Sequence, residues 1–223
     1  MEHSPLSTEI LFYIGPVPIA EAVVTTWVIM AILALVSFIA FGRRQSGGGA
    51  LQTTLEIVVE TILSQIRAIA GQKSAVFAPL LMTLFIFIVC ANLSAVLPGV
   101  KAPTAHLETP AALAAIVFFS AHYFGVRAQG LLSYLRHYTR PSWILTPLNI
   151  LAELTRTFSL MVRLFGNMMS HELVLTIIVV LAGLLVPVPF LALGLLIGLI
   201  QAYIFCVLAT VYIGAATASI SIE

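Results

Sequence analysis

Residues 159–186 read SLMVRLFGNMMSHELVLTIIVVLAGLLV, and the arginine at position 163 decides how the chain is read. From Leu164 to Ile222 there is no Lys, no Asp and no further Arg, and the one acid is Glu172, with His171 beside it. A guanidinium in a hydrocarbon setting costs roughly 2.5–3.5 kcal/mol on insertion scales and more on an isolated helix. Unlike Lys, Arg cannot relieve that cost by losing its proton. A chain that keeps Arg163 there needs a fixed positive charge inside a membrane.

The composition agrees. Of 223 residues 61% are hydrophobic and 9% charged, against about 25% charged in soluble domains, so the fold class is an all-α integral membrane protein. Basic and acidic groups nearly balance, 10 against 9, which gives no reason to expect nucleic acid as a partner. Asp is absent, which removes Asp-based catalytic pairs and EF-hand loops. Cys90 and Cys206 sit in apolar runs without disulfide or zinc spacing and read as small buried hydrophobes. Met1-Glu2-His3-Ser4-Pro5 lacks a basic leader region and does not read as a removable signal peptide.

A spanning helix needs about 20 apolar residues. The first candidate is 22–41, closed by Gly42-Arg43-Arg44 and the glycine-rich 46–49. Residues 51–70 are amphipathic: Leu55, Val58, Val59, Ile62, Ile66 and Ile69 recur at helical spacing among polar residues, predicting an interfacial helix. The next spans are 77–97, ended by Pro98-Gly99, and 110–124, ended by Gly125-Val126-Arg127. A basic connector with Arg127, Arg136, His137 and Arg140 follows, and then a long hairpin, 148–185 and 189–218. Helices of that length exceed a ~30 Å hydrocarbon core and must tilt, lie along the membrane or bend, with Gly166 and Gly183 as bending points. Arg43, Arg44, Arg67 and Lys73 fall in one connector, and Arg127, Arg136 and Arg140 in the next on the same side. The positive-inside rule therefore puts the N-terminus outside and the C-terminus in the cytoplasm after five crossings.

On the long helix Arg163 and Asn167 are four apart and Arg156 and Arg163 seven apart, so they share a face. Glu172 is nine positions on from Arg163, about 900° round and ~13 Å along the axis, so it faces the other way. Glu153 and Arg156, three apart, are spaced to pair. Gln201 is the sole amide side chain of the last helix. Taken singly, Arg163 could snorkel to an interface, His171 could be a core histidine, and Gln201 could be glue between helices. Together with Glu172 they point to an ion path. Enzyme readings fail. His171-Glu172 opens like a zinc motif, but Leu175 stands where the second His belongs. Lys73-Ser74 echoes a phosphate loop, but Arg67 and Gln72 occupy its glycine positions. No nucleotide, metal or cofactor site is expected.

Ser159-Leu160-Met161-Val162-Arg163-Leu164-Phe165-Gly166-Asn167-Met168, followed by Glu172, closely resembles subunit a of the rotary F-type ATP synthases. Leu199-Ile200-Gln201-Ala202-Tyr203-Ile204-Phe205 resembles that family's last helix, and Asn92-Leu93, Pro98-Gly99 and Pro147-Leu148-Asn149 are also similar to it. The likeness covers roughly residues 10 to 218, and Pro103-Thr104-Ala105-His106-Leu107-Glu108-Thr109 resembles the compact N-type bacterial subgroup.

The resemblance implies a non-catalytic, ion-translocating subunit of the bacterial cell inner membrane. Its implied partners are a ring of c subunits, peripheral-stalk b subunits, the remaining synthase subunits and the lipid bilayer. It implies that the long hairpin lies tilted against the ring, and that Arg163 attracts each passing c-subunit carboxylate and blocks leakage between two offset half-channels. Asn167 and Gln201 are then polar neighbours of Arg163, Glu172 with His171 and Ser170 lines the outer half-channel, and Glu153 and Arg156 border the inner one. Two departures stand out. Gly194 occupies a position, seven before Gln201, where the family often has an acid or His, and His171 replaces a small residue, as if the ionisable group had moved onto one helix. The inner-side acid is also displaced, Asn149 standing near where the family places it. A His-Glu pair suits protons, and the N-type likeness raises sodium as the alternative ion. A secondary transporter would show an internal repeat, and none is visible. A passive anchor leaves Arg163, Glu172 and Gln201 unexplained.

Overall fold

The computed structural model describes residues 10–14, 17–42, 50–97, 100–138, 146–183 and 186–217. Arg43, Arg44, the 46–49 linker, Pro98-Gly99, Arg140, Pro141, Leu185 and Ala218 lie outside the described residues.

A short antiparallel hairpin, β1 (Ile10–Ile14) and β2 (Val17–Ala20), precedes the helices. It was not expected, although apolar runs flanking Gly15-Pro16 are a turn signal. Seven α-helices follow among the described residues: α1 (Glu21–Gly42), α2 (Ala50–Ala70), α3 (Ala78–Leu93), α4 (Glu108–Gln129), α5 (Leu131–Tyr138), α6 (Thr146–Ala182) and α7 (Pro187–Thr217). Five of them, α1, α3, α4, α6 and α7, are long and apolar enough to cross a membrane. This is an all-α integral membrane fold with a small β-hairpin at one end.

Bundle architecture follows from which side chains bury. α7 packs against α2, α3, α4 and α6, and its Ala202, Phe205, Cys206, Ala209 and Ile213 lie in one core with Leu81, Phe85 and Ile88 of α3, Leu113 and Val117 of α4, and Leu160 and Leu164 of α6. Lipid tails are as apolar as Leu, so what holds such a core together is close packing over small residues and interhelical hydrogen bonds. Ala91, Ala114, Ala121, Ala202 and Ala209, all buried, supply the first. On α2 the buried stripe narrows to Ile62 and Ile66, while Val58, Val59 and Ile69 stay exposed.

Several elements depart from the expected limits: α3 ends at Leu93 rather than 97, with a separate short helical turn over Ser94–Val96. α4 starts before position 110 and continues past 124, through Gly125 to Gln129. The glycine is tolerated in the helix because it lets neighbours close in: a Cβ there would lie 2.6 Å from Tyr134 Cε2 and 3.1 Å from the Ala216 carbonyl oxygen. The helix ends at Gly130, whose φ of 80° suits glycine. The connector beyond it is helical as α5, anchored by buried Tyr134, and Gln129 Nε2 donates to Ala216 O at 2.9 Å, tying α4 to the end of α7. α6 spans 37 residues, about 55 Å at 1.5 Å per residue. Gly166 does not interrupt it; Gly183, at φ 72°, follows its last residue.

Candidate functional site

Leu160, Leu164 and Met168 repeat every four residues on α6 and are almost fully buried. Arg163 stands to one side of that stripe, on an exposed flank of the helix. Its Nη2 reaches Ser159 Oγ, one turn back, at 3.5 Å. No acid among the described residues is placed against it; the ion pair the structure shows lies elsewhere, between His122 and Glu153. One turn on, Asn167 Nδ2 donates to Gln201 Oε1 at 2.8 Å, and Gln201 is 2% exposed. Asn167, Gln201 and Arg163 thus form one polar strip across the α6–α7 seam. Ser170 is exposed further along it.

Glu172 and His171 are half-buried. The imidazole of His171 fills the space beside Gly194, where any Cβ would overlap its ring. The two departures noted in the sequence are therefore one steric exchange, with the histidine reaching from α6 into the site that a side chain on α7 would occupy. Glu172, His171, Met168 and Leu175 line a small cavity of about 50 Å³ closed by Ala95, Val100, Lys101 and Ala102, with room for water among its polar groups. His106, Lys101 and Glu21 are the other charged or titratable groups whose fields reach Glu172.

The segment that closes this end is locked by two buried hydrogen bonds. Thr104, fully buried in the Pro103–Ala105 turn, donates to Asn92 Oδ1 at 2.7 Å, and Asn92 Nδ2 donates to Gly198 O at 2.7 Å. One amide thereby links the loop, α3 and α7. Sequence reasoning noted Asn92 but not this role; a buried amide inside a span was the available signal. His106 Nε2 is buried with no hydrogen-bond partner.

At the other end of α6 the structure corrects one pairing. Glu153 Oε1 lies 3.6 Å from His122 Nε2 of α4, not against Arg156, which is exposed. Glu153 and Arg156 are three apart, but an exposed pair on one helix stabilises by only ~0.2–0.5 kcal/mol, so a cross-helix contact readily overrides it. His122 was missed because it lies in a short apolar span with no motif around it. Among the described residues no group of three or more His, Cys, Asp or Glu is placed to hold a metal ion.

Fold and site together define a multi-pass helical membrane protein with ionisable groups held along one long span. The family model for the ATP synthase A chain matches residues 23–214. Similar proteins include ATP synthase subunit a 2 of Bradyrhizobium sp., 57% identical over 221 residues and covering 99% of both chains. Another is ATP synthase subunit a 2 of Pelobacter propionicus, 45% identical and covering 96% of this chain and 94% of its own. ATP synthase subunit a of Moorella thermoacetica is 40% identical, covering 91% of this chain and 93% of its own. The chain belongs to the ATP synthase A chain family, subunit a of the F-type ATP synthases.

Proposed function

We propose that this chain is the ion-conducting stator subunit of the synthase membrane sector, passing protons through two offset half-channels to and from carboxylates on a rotating c-ring. The observation that carries the reading is Arg163: a permanent cation on the exposed flank of a membrane helix, with no acid among the described residues placed against it. A carboxylate brought to it from outside the chain would be held in its ionised form, since two unit charges 4 Å apart attract by about 4 kcal/mol at an effective dielectric of 20. A protonated carboxyl would not be held. The same charge repels a free proton from crossing between the paths. Asn167 and Gln201, bonded to each other, border the arginine and fix the polar strip it belongs to.

The outer path runs through Lys101, His171 and Glu172, where imidazole and carboxylate relay protons; the inner one lies toward Glu153 and Arg156. Glu153 is ten residues before Arg163 and Glu172 nine after it, about 15 and 13 Å at 1.5 Å per residue. The arginine thus divides two acids that open toward opposite ends of α6. ATP chemistry belongs to a separate headpiece, and peripheral-stalk b subunits hold the stator. The site for the chain is the bacterial inner membrane, N-terminus outside.

The test is ATP-driven proton pumping by the reconstituted complex carrying Glu172→Ala or His171→Ala. Both are expected to slow pumping without abolishing it. Undiminished proton flux in both would refute the outer-path assignment.

A further inference from the structure

His122 and Glu153 meet across the α4–α6 contact, with side chains 33% and 24% exposed. The other ring nitrogen of His122, Nδ1, lies 2.8 Å from the Phe118 carbonyl oxygen. A carbonyl oxygen can only accept, so Nδ1 carries a hydrogen. In the neutral imidazole Nε2 is then the bare nitrogen, and it is this atom that faces the Glu153 carboxylate. Two lone-pair-bearing atoms face each other favourably only when one proton lies between them. A proton shared between them can sit on Glu153 against neutral His122 or on His122, as imidazolium, against an ionised Glu153.

A cleft of about 420 Å³ lined by His122, Tyr123, Val126 and Arg127 opens at the imidazole. The other groups around the ring are Phe118 on α4 and Tyr134 on α5, with ring centroids 4.4 and 6.0 Å away. Arg127 and Tyr123, which bond each other at 3.3 Å, are the remaining charged or titratable side chains at the cleft; those of Arg136 and His137 lie outside the described residues. A N···O separation of 3.6 Å is longer than a formed hydrogen bond, so the proton passes when the two groups close to about 2.6–3.2 Å or through one bridging water.

We propose that His122 and Glu153 form the proton-exchanging group at the cytoplasmic mouth of the inner half-channel, His122 trading protons with the cleft and Glu153 with the path toward Arg163. This rests on the half-channel reading above and on protons as the coupling ion. In the outward-to-cytoplasm direction Glu153 passes its carboxyl proton to neutral His122, leaving carboxylate and imidazolium. Imidazolium then gives the Nε2 proton to water, restoring the starting imidazole and yielding hydronium. Histidine is the side chain whose ordinary titration falls between about pH 5 and 8, which suits release into a near-neutral compartment.

The experiment uses the whole complex in inverted vesicles, with bath and lumen pH set separately and ATP-driven uptake from the bath recorded. His122→Gln and Glu153→Gln are each expected to slow uptake severalfold and to move the alkaline limb of the bath-pH profile to lower pH, the double variant being no worse than either single one. Glu153→Asp should keep most of the wild-type profile, and small imidazole in the bath should restore uptake to His122→Ala. Lumen pH should have the same effect on all of them. Wild-type bath-pH profiles in both Gln variants, or an assembled His122→Ala complex that imidazole does not help, would overturn the proposal and leave a structural fastening between helices. Arg163→Ala run alongside separates the two levels: continued pumping in that variant refutes the half-channel reading itself, whereas its loss with unchanged pair profiles refutes the pair alone.

Discussion

Arg163 owes its position to its neighbours. Leu160 and Leu164 are buried at 2% and 0%, and helical geometry then turns the residue beside each of them outward. His171 and Gly194 show the same dependence on a neighbour. Because a Cβ at position 194 would overlap the His171 ring, Gly194→His should cripple pumping in the wild-type background and be restored substantially when combined with His171→Gly. A double variant no better than Gly194→His alone would show that the two positions do not share one space. Asn92 carries two buried bonds. Asn92→Leu should cost about 0.6–2 kcal/mol for each interhelical bond lost, read as a lower unfolding midpoint in detergent. Thr104→Val should then cost less in the Asn92→Leu background than alone, since residues in one network are not additive. Much of this residue scale was legible in the sequence: Arg163, Asn167, Glu172 and Gln201 stood out because a polar group in an apolar run is conspicuous. His122 did not stand out, because its meaning lies in a carboxylate thirty-one residues away on another helix.

Among the elements, glycines separate contact from tolerance. A Cβ on Gly198 would approach Asn92 Cβ to 2.9 Å, whereas one on Gly166 would meet nothing within 4 Å. Gly198→Ala should therefore destabilise the α3–α7 contact by about 1–3 kcal/mol, the usual cost of overpacking. Gly166→Ala should leave the isolated chain as stable or stabilise it by roughly 0.5–1 kcal/mol, through helix propensity. Thermal unfolding in detergent distinguishes them, and equal midpoints for the two variants would contradict this packing. The long helices were readable because hydropathy marks them. The extension of α4 through Gly125 was not, because glycine signals a break until one knows that Tyr134 and Ala216 crowd it. α5 was hidden for a related reason: its eight residues depend on one buried tyrosine rather than on a long periodic pattern.

At the scale of the whole molecule, the charged and polar groups sort to two ends. Lys101, His106 and Glu21 gather near Glu172, and Arg127, Tyr134 and His122 near Glu153. With Cys90 and Cys206 replaced by Ala, a membrane-impermeant thiol reagent should label Ser46→Cys from the cytoplasmic side and Glu108→Cys from the outside. The reverse pattern would invert the orientation and exchange the two half-channels. The charge bias of the connectors is what predicts this orientation from sequence. How the ends are closed was not visible, because the 100–106 loop acts through contacts with α1, α3, α4 and α6 that no local pattern encodes.

One measurement bears on all of this together: ATP-driven ion pumping by the reconstituted complex, wild type against Arg163→Ala, with sodium present and absent. Loss of coupled pumping in the variant, with wild-type pumping indifferent to sodium, is the expected result and identifies a proton path governed by Arg163. A wild type that pumps only with sodium would make the coupling ion sodium and remove the proton relay proposed for His122 and Glu153. Near-normal pumping by Arg163→Ala would contradict the role given to Arg163.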